Sequence, residues 1–232
     1  MSKPPPFHIV FALFPGVTHL DFTGPHQFLQ RLPGAQVTVA CLEGGQMEAD
    51  GLTFANLTPF FDIERCDLLC IPGGFGTTEA MLDEAFLTQI RRLAGMSTWV
   101  TSVCTGSLLL AAAGLLEGKR AACHWAWRDQ LALFGAIPDP ARVVRDGNIV
   151  TGGGVTAGID FALTLVAEIA GPEFAQGLQL GLEYAPAPPF NAGRPETAPP
   201  EVVERIQRMY GSAMPARHAA AVEAAGRLRA AV

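Results

Sequence analysis

Short apolar runs alternate with longer amphipathic segments along most of this chain. The strand-like runs are 7–14, 35–42, 66–74 and 97–103. The helix-like segments are 24–32, 83–95, 106–116 and 158–171. Nearly continuous apolar strands are typical of a parallel sheet whose two faces are both covered. The alternation therefore predicts an α/β fold, with a doubly wound, mostly parallel sheet sandwiched by helices in the flavodoxin-like manner.

Local signals place the ends of several of these elements. Pro25 is expected in the first turn of the first helix, and Gly95 is expected to close the second. The stretch 142–153 predicts a hairpin with Asp146-Gly147 at its turn. We find no internal repeat and no second domain. Residues 1–232 are therefore expected to form a single α/β domain.

The last fifty residues have a different character. Residues 183–201 are rich in proline and are not expected to form regular structure. We interpret them as an extended arm that wraps the domain or a partner subunit. Helical segments are predicted after the arm, at about 200–210 and 215–230.

Composition excludes several classes of partner. Of the 232 residues, 49% are hydrophobic and 16% are charged, which is typical of a globular protein. The net charge of −6 and the lack of a basic stripe argue against nucleic acid. No apolar run reaches the roughly 18 residues that a membrane span needs. Lys3 followed by 7–14 faintly imitates a signal peptide, but Pro15 breaks the run, so a first strand is expected.

Cysteine and glycine usage limits the compartment and the cofactors. The five cysteines are Cys41, Cys66, Cys70, Cys104 and Cys123. An odd number without a secretion signal indicates free thiols in a reducing compartment, and hence the cytoplasm. Cys66 and Cys70 lie on one side of a strand, where two core thiols explain them as well as a metal pair does. The glycines of PGGFG and TGGG lack the lysine of a phosphate-binding loop, so no nucleotide is expected. No further ligands accompany the two cysteines, so no metal is expected either.

The stretch Ser102-Val103-Cys104-Thr105-Gly106-Ser107 stands at the junction of a predicted strand and a predicted helix. A side chain at such a sharp turn projects out of the sheet, and a small residue close by relieves the crowding. This arrangement is a nucleophile elbow with Cys104 as the nucleophile. A helix N-terminus stabilises a thiolate, so we expect a lowered pKa for Cys104. The alternative is a small buried side chain without chemistry.

A nucleophile also needs a proton partner and a site for negative charge. His124 could approach Cys104, although a structural histidine beside Trp125 is equally natural. Asp21 follows the first strand between two apolar residues; it is either a loop or N-cap aspartate, or a buried acid with a raised pKa. The N–H groups of Gly74 and Thr105 are candidates for an oxyanion hole.

Three stretches carry a family resemblance: IPGG, VCTGSLLLAAAGLLEGKRAACHW and GGGVTAGIDFAL. They resemble the class I glutamine-amidotransferase-like superfamily, which includes the parkinsonism-associated deglycase and the PfpI proteases. LDFTGPH, SVCTGS and the tail LEYAPAPPFNAG are similar to the bacterial branch that hydrates isocyanides. The resemblance covers nearly the whole chain, and the tail is its most discriminating part.

The resemblance implies a cofactor-free homodimer that converts an isocyanide and water to an N-substituted formamide. It assigns the nucleophile to Cys104, which would form a thioimidate, and the general acid and base to Asp21. It implies that Thr105 shapes the site and that the loop with Val155 and Thr156 lines the substrate pocket. Many members carry Glu where this chain has Asp21, and the shorter side chain fits the hydratase branch.

Two other classes of function are compatible with these residues. One is another cysteine enzyme of the superfamily, such as a deglycase, a glyoxalase or a protease. The other is a ligand or redox sensor, since some regulators carry this domain before a DNA-binding region of roughly 100 residues. Only about thirty residues follow the arm here, and the acidic charge is unfavourable for DNA.

Overall fold

A computed structural model describes residues 5–230, which form an eight-stranded sheet, a two-stranded sheet and eight α-helices. The strands are β1 (Phe7–Ala12), β2 (Ala35–Cys41), β3 (Gly45–Ala49), β4 (Leu52–Pro59), β5 (Leu68–Ile71), β6 (Trp99–Val103), β7 (Arg120–Ala121), β8 (Ile137–Pro138), β9 (Val143–Asp146) and β10 (Ile149–Gly152). The helices are α1 (Leu20–Leu29), α2 (Thr77–Ala80), α3 (Glu84–Met96), α4 (Gly106–Ala112), α5 (Ala157–Ala170), α6 (Pro172–Gly181), α7 (Pro200–Tyr210) and α8 (Met214–Ala230).

The large sheet has the strand order β3-β4-β2-β1-β5-β6-β10-β9. The six central strands pair in parallel, and only the edge strands β3 and β9 run antiparallel to their neighbours. Helices α1 and α5 pack against each other, while α4 packs with α3 and α8. The predicted α/β class with a mostly parallel sheet between helices is confirmed.

The buried strands explain why this sheet forms. All four residues of β5 are buried, as are the last four of β1 and of β6. A strand buried on both faces has no polar side to turn toward water, so it occupies the centre of a covered sheet. Within residues 5–230, no helix is long and apolar enough to cross a membrane.

The first helix begins earlier than predicted. It starts at Leu20, so Pro25 lies in its interior and not in its first turn. The Thr23 hydroxyl and N–H both bond the His19 carbonyl, which stabilises the turn before the proline. Asp21 therefore lies in the first helical turn, where the helix dipole favours a carboxylate.

Gly95 does not close the second predicted helix. It lies inside α3, which continues to Met96 and ends where Ser97 adopts an extended conformation. The predicted strands and α4 are also shorter than their apolar runs, because buried loop residues prolong the hydrophobic pattern. The hairpin β3–β4 was not predicted. Asp50 and Gly51 form its turn, and both have positive φ, which is typical of a tight hairpin.

The later predictions agree better with the structure. Strands β9 and β10 form the predicted hairpin, with Gly147 at φ 66° in its turn. Residues 183–199 contain no helix or strand, and α7 begins at Pro200. The arm folds back onto α5, where the Tyr184 hydroxyl donates to Asp160 at 3.0 Å.

The sheet topology brings three loops to one place. Chain order reverses between β1 and β5, since β2 lies on one side of β1 while β5 and β6 follow on the other. Ligands in open α/β sheets bind at such a switch point, outside the carboxyl ends of the strands. Asp21, Gly73 and Cys104 follow β1, β5 and β6 in that order, so all three lie at this edge.

Candidate active site

Cys104 occupies the turn between β6 and α4. Its φ of 60° lies in the left-handed region, which costs a non-glycine residue about 1–3 kcal/mol. Its N–H group donates to the carbonyls of Gly152 and Gly153 at 3.1 and 2.9 Å, which secures this conformation. The predicted nucleophile elbow is therefore present as geometry, with a strained cysteine at its apex.

Gly106, two residues after Cys104, lies where no side chain would fit. A Cβ atom there would overlap the carbonyl oxygen of Ile71 and lie 2.7 Å from that of Pro72. Both atoms belong to the backbone at the end of β5 and cannot rotate away. The elbow packs directly against the neighbouring strand, and only a residue without a side chain permits that approach.

Asp21 is a buried carboxyl group and not a loop aspartate. It has no exposed surface, and its Oδ2 atom accepts the Gly73 N–H at 2.8 Å. Its Oδ1 atom is buried and has no nitrogen or oxygen partner among residues 5–230. Burial raises the pKa of Asp21 to about 7, against the lowering effect of the Gly73 N–H and of the nearby Cys104 thiol.

Gly73 is a site residue that the sequence reasoning missed. A Cβ atom there would lie 2.5 Å from both the N and Oγ1 atoms of Thr105, and 3.0 Å from Asp21 Oδ2. The residue thus brings Asp21 and Thr105 together by having no side chain. The paired glycines of PGG were the available signal, but they suggested Gly74 instead.

The predicted lowering of the Cys104 pKa is wrong. The thiol is buried, and burial raises its pKa well above the usual value, with a further rise from the nearby Asp21 charge. The N–H groups of Val155 and Thr105 oppose this by favouring the thiolate. Desolvation outweighs the helix terminus because α4 is short and the sulfur lies below the protein surface.

The expectation for the Gly74 N–H also needs correction. That group donates to Thr105 Oγ1 at 2.9 Å, so it does not point at a reacting atom. The Thr105 hydroxyl also lies 2.8 Å from the hydroxyl of Thr77, and all three groups are buried. Thr105 therefore shapes the site by connecting the loop after β5 to the elbow, while its own N–H faces the Cys104 sulfur.

A cavity of about 90 Å³, open to solvent, reaches Cys104. Its walls are Thr18, Gly74, Phe75, Cys104, Thr105, His124, Trp127, Val155, Tyr210 and Arg217. His124 and Val155 thus lie where the sequence predicted. Thr156 does not: it lines a neighbouring polar cleft of about 220 Å³, which His124 and Val155 separate from the Cys104 cavity.

His124 is a neutral side chain at neutral pH. Burial is the main cause that lowers its pKa to about 4, and the Arg217 charge adds to the effect. Its Nδ1 atom accepts the Ala126 N–H at 3.2 Å, so the ring proton is carried by Nε2. The ring packs against Trp125 and Tyr210. These contacts indicate that His124 is a residue of the cavity wall and not a base for Cys104.

Five wall residues were missed: Thr18, Phe75, Trp127, Tyr210 and Arg217. Tyr210 ends α7 and Arg217 lies in α8, so the C-terminal helices reach the cavity from a distant part of the sequence. No motif marks these positions, and the signal is absent until the chain is folded. Among residues 5–230, no three His, Cys, Asp or Glu side chains are grouped as a metal site requires.

The geometry defines a class: α/β proteins with a cysteine at the elbow after a central strand and a buried acid beside it. Residues 8–168 match the family model of the DJ-1/PfpI family, and the chain belongs to that family. It is 49% identical to "Isonitrile hydratase" of Pseudomonas putida, over 95% of this chain and 97% of that protein.

Solved structures agree with this assignment. A ThiJ/PfpI family protein from Pseudomonas syringae superposes with a TM-score of 0.91 at 40% identity, covering 94% of this chain and 92% of the other. DJ-1beta of Drosophila melanogaster superposes with a TM-score of 0.69 at 26% identity, over 78% of this chain and all of its own.

Proposed function

We propose that this protein hydrates isocyanides to N-substituted formamides, with Cys104 as nucleophile and Asp21 as general acid and base. Isonitrile and isocyanide are two names for the same group, R–N≡C, so the name of the P. putida relative supports this substrate class. The observation that carries the mechanism is the pairing of a strained, buried thiol with a buried carboxyl group whose pKa is about 7.

In the first step, the Cys104 thiol adds to the terminal carbon of the isocyanide. The Asp21 carboxylate takes the thiol proton while the sulfur forms its bond to carbon. Asp21 then returns that proton to the same carbon, which gives the thioimidate R–N=CH–S. A carboxyl group with a pKa of about 7 serves both transfers, because it is close to half ionised at neutral pH.

In the second step, water adds to the thioimidate carbon. One water proton reaches the nitrogen and the oxygen stays on carbon as a hydroxyl group, with Asp21 relaying the proton. The carbon–sulfur bond then breaks, the hydroxyl proton passes to the sulfur, and R–NH–CHO leaves. The net reaction converts one isocyanide and one water to one formamide, and the oxidation state of the protein does not change.

The surroundings of Asp21 support this assignment. Its Oδ2 atom is held by the Gly73 N–H, so the proton of the neutral acid is carried by Oδ1. Oδ1 has no nitrogen or oxygen partner among the described residues, which leaves it free to exchange a proton with the thiol or the substrate. A carboxyl group tied down at both oxygens could not act in this way.

The cavity walls favour an apolar substituent on the isocyanide. Phe75, Trp127 and Tyr210 present aromatic rings, and Val155 adds an aliphatic surface. Apolar walls with a few polar groups near the reacting atom are typical of small-molecule sites. The R group would lie against these rings while its isocyanide carbon reaches Cys104.

The first test is proton NMR of the purified protein mixed with a simple alkyl or aryl isocyanide. We expect a formyl proton signal with wild type and with Cys70→Ala, and none with Cys104→Ala. Formamide from Cys104→Ala would show that Cys104 is not the nucleophile. No formamide from any variant would reject hydration and favour a dicarbonyl substrate or a sensor role.

The homodimer and the cytoplasmic location stay predictions. Phe190 in the arm and Leu180 at the end of α6 are 78% and 82% exposed, which supports a partner surface near the arm. All five cysteines are free thiols, as a reducing compartment requires. Light scattering of the purified protein checks the first prediction: a monomer mass would contradict it.

A further inference from the structure

Arg217 is a buried cation in the wall of the Cys104 cavity. It lies in α8 and is only 1% exposed. Its Nε atom donates to Thr78 Oγ1 at 3.0 Å, and its Nη2 atom donates to the carbonyls of Gly74 and Phe75 at 2.9 and 2.7 Å. Its guanidinium carbon lies 4.3 Å from the centre of the Trp127 ring. The group is therefore held rigidly.

This guanidinium makes no ion pair with any carboxylate of residues 5–230. Arg227, ten residues later in the same helix, is half-exposed and pairs with Glu223 at 2.6 Å. Burying a charge without a counter-ion costs several kcal/mol. Neutral acceptors and an aromatic ring offset only part of that cost, so the positive charge at this position calls for a functional explanation.

The guanidinium of Arg217 has one nitrogen without a partner. Nε and Nη2 are engaged, whereas no acceptor among the described residues bonds Nη1. Arg217 lines the same cavity as Cys104, so a ligand that enters this cavity meets the cation.

The titratable groups that face Cys104 come from several elements. They are Asp21 on α1, Cys123 and His124 in the segment after β7, Tyr210 on α7 and Arg217 on α8. At neutral pH the thiol and the phenol are uncharged, and burial keeps the imidazole neutral. Burial also lowers the pKa of Arg217, but a guanidinium stays protonated in proteins. Arg217 is thus the one permanent cation of this group.

We propose that Arg217 is the anion-binding residue of this site, and that its guanidinium stabilises two negative charges. One is the thiolate of Cys104, and the other develops on the hydroxyl oxygen of the water adduct as it loses its proton and the carbon–sulfur bond breaks. Arg217 keeps its proton throughout and forms no covalent bond. The part concerning oxygen rests on the proposed function, whereas the part concerning the thiolate does not. A cation beside a developing charge in a site with little water stabilises it far more than in solution.

The test measures the rate at which iodoacetamide alkylates Cys104 as a function of pH. Arg217→Lys keeps the charge with fewer hydrogen bonds, and Arg217→Gln keeps hydrogen-bond donors without the charge. For Gln we expect the midpoint to rise by about one pH unit, and the rate at pH 8 to fall about tenfold. The midpoint of Arg217→Lys should stay closer to that of wild type. The control variant Arg227→Gln should have the same midpoint as wild type.

If Gln matches wild type, or if Lys and Gln shift the midpoint equally, Arg217 acts only by holding the loop after β5 and the proposal is rejected. This readout uses no isocyanide, so it stands even if wild type produces no formamide. When wild type does produce formamide, Gln should also lower kcat about tenfold or more, with KM nearly unchanged. An unchanged kcat would reject the role at the oxygen.

A measurement on the wild-type protein covers the case in which neither variant folds. Sodium formate, a small carboxylate, should slow the alkylation of Cys104 in a saturable way at constant ionic strength set with sodium chloride. Chloride alone at the same ionic strength should not produce this protection. Equal rates in the two salts would mean that the carboxylate of formate has no site beside Cys104, and would overturn the proposal.

Discussion

Cys70 lies in β5 and Cys104 directly follows the neighbouring strand β6, yet the two thiols have very different surroundings. Both thiols are buried, and burial raises the pKa of each, that of Cys70 to about 12. Cys70 lies within β5 in ordinary extended backbone, with its neighbours packed on both faces. Cys104 lies one strand away at a left-handed turn, beside Asp21 and at the end of a cavity.

The difference teaches that burial and pKa alone do not mark a nucleophile. A high pKa makes either thiol inert until some group removes its proton. In the proposed mechanism Asp21 is the base for Cys104, and the cavity gives a substrate access to the sulfur. Cys70 also lies near the Asp21 charge, but it does not line the cavity, so no substrate reaches its sulfur and it is a core side chain.

The largest expected effect is on alkylation of the two thiols. In the native protein, iodoacetamide should modify Cys104 at least about 100-fold faster than Cys70, because only Cys104 lines a cavity. Mass spectrometry of the cysteine-containing peptides measures both rates. In urea the two rates should converge. Comparable rates in the native protein would remove the distinction between the two sites.

The next effect is on turnover in Asp21→Asn. Asparagine can still accept the Gly73 N–H but cannot take the thiol proton. We expect kcat for formamide formation to fall about 10²–10⁴-fold, the usual contribution of a general acid and base. Near-normal turnover would contradict the role assigned to Asp21.

The same variant should gain stability at high pH. The pKa of Asp21 is raised from 3.8 to about 7 in the folded protein, so the folded state binds more protons than the unfolded state between these values. The free energy of unfolding of wild type therefore falls as the pH rises from about 4 to 7. Asn does not titrate, so its advantage should grow to about 1–4 kcal/mol at pH 8. Urea unfolding at pH 5 and pH 8 measures it, and no difference between the two pH values would argue against a raised pKa.

A smaller and purely structural effect compares two glycines. Gly106→Ala would place a Cβ against the backbone of Ile71 and Pro72, and we expect a loss of about 3 kcal/mol together with displacement of the elbow. Gly95→Ala is the matched control, because a Cβ there meets nothing within 4 Å inside α3. It should stabilise the protein by about 0.5–1 kcal/mol. Equal effects in thermal unfolding would contradict the close packing of the elbow.

Local patterns were sufficient for much of the fold. The alternation of apolar strands with helices predicted the parallel sheet, and Asp146-Gly147 predicted its hairpin. The ends of elements were less accurate, because Pro25 and Gly95 carry local signals that packing overrode. Hydrophobic patterns report which residues become buried, and they do not distinguish a buried strand end from a buried loop.

At the site, sequence alone determined the elbow, since a cysteine followed by glycine between a strand and a helix is a local feature. Tertiary structure decided its electrostatics. The Cys104 pKa is raised and not lowered, because desolvation depends on everything packed around the sulfur. Arg217 reaches the carbonyl of Gly74 across 143 residues of sequence, and no local pattern encodes a contact of that range. The chain thus specifies its candidate nucleophile by a short motif, and the charges around it by folding.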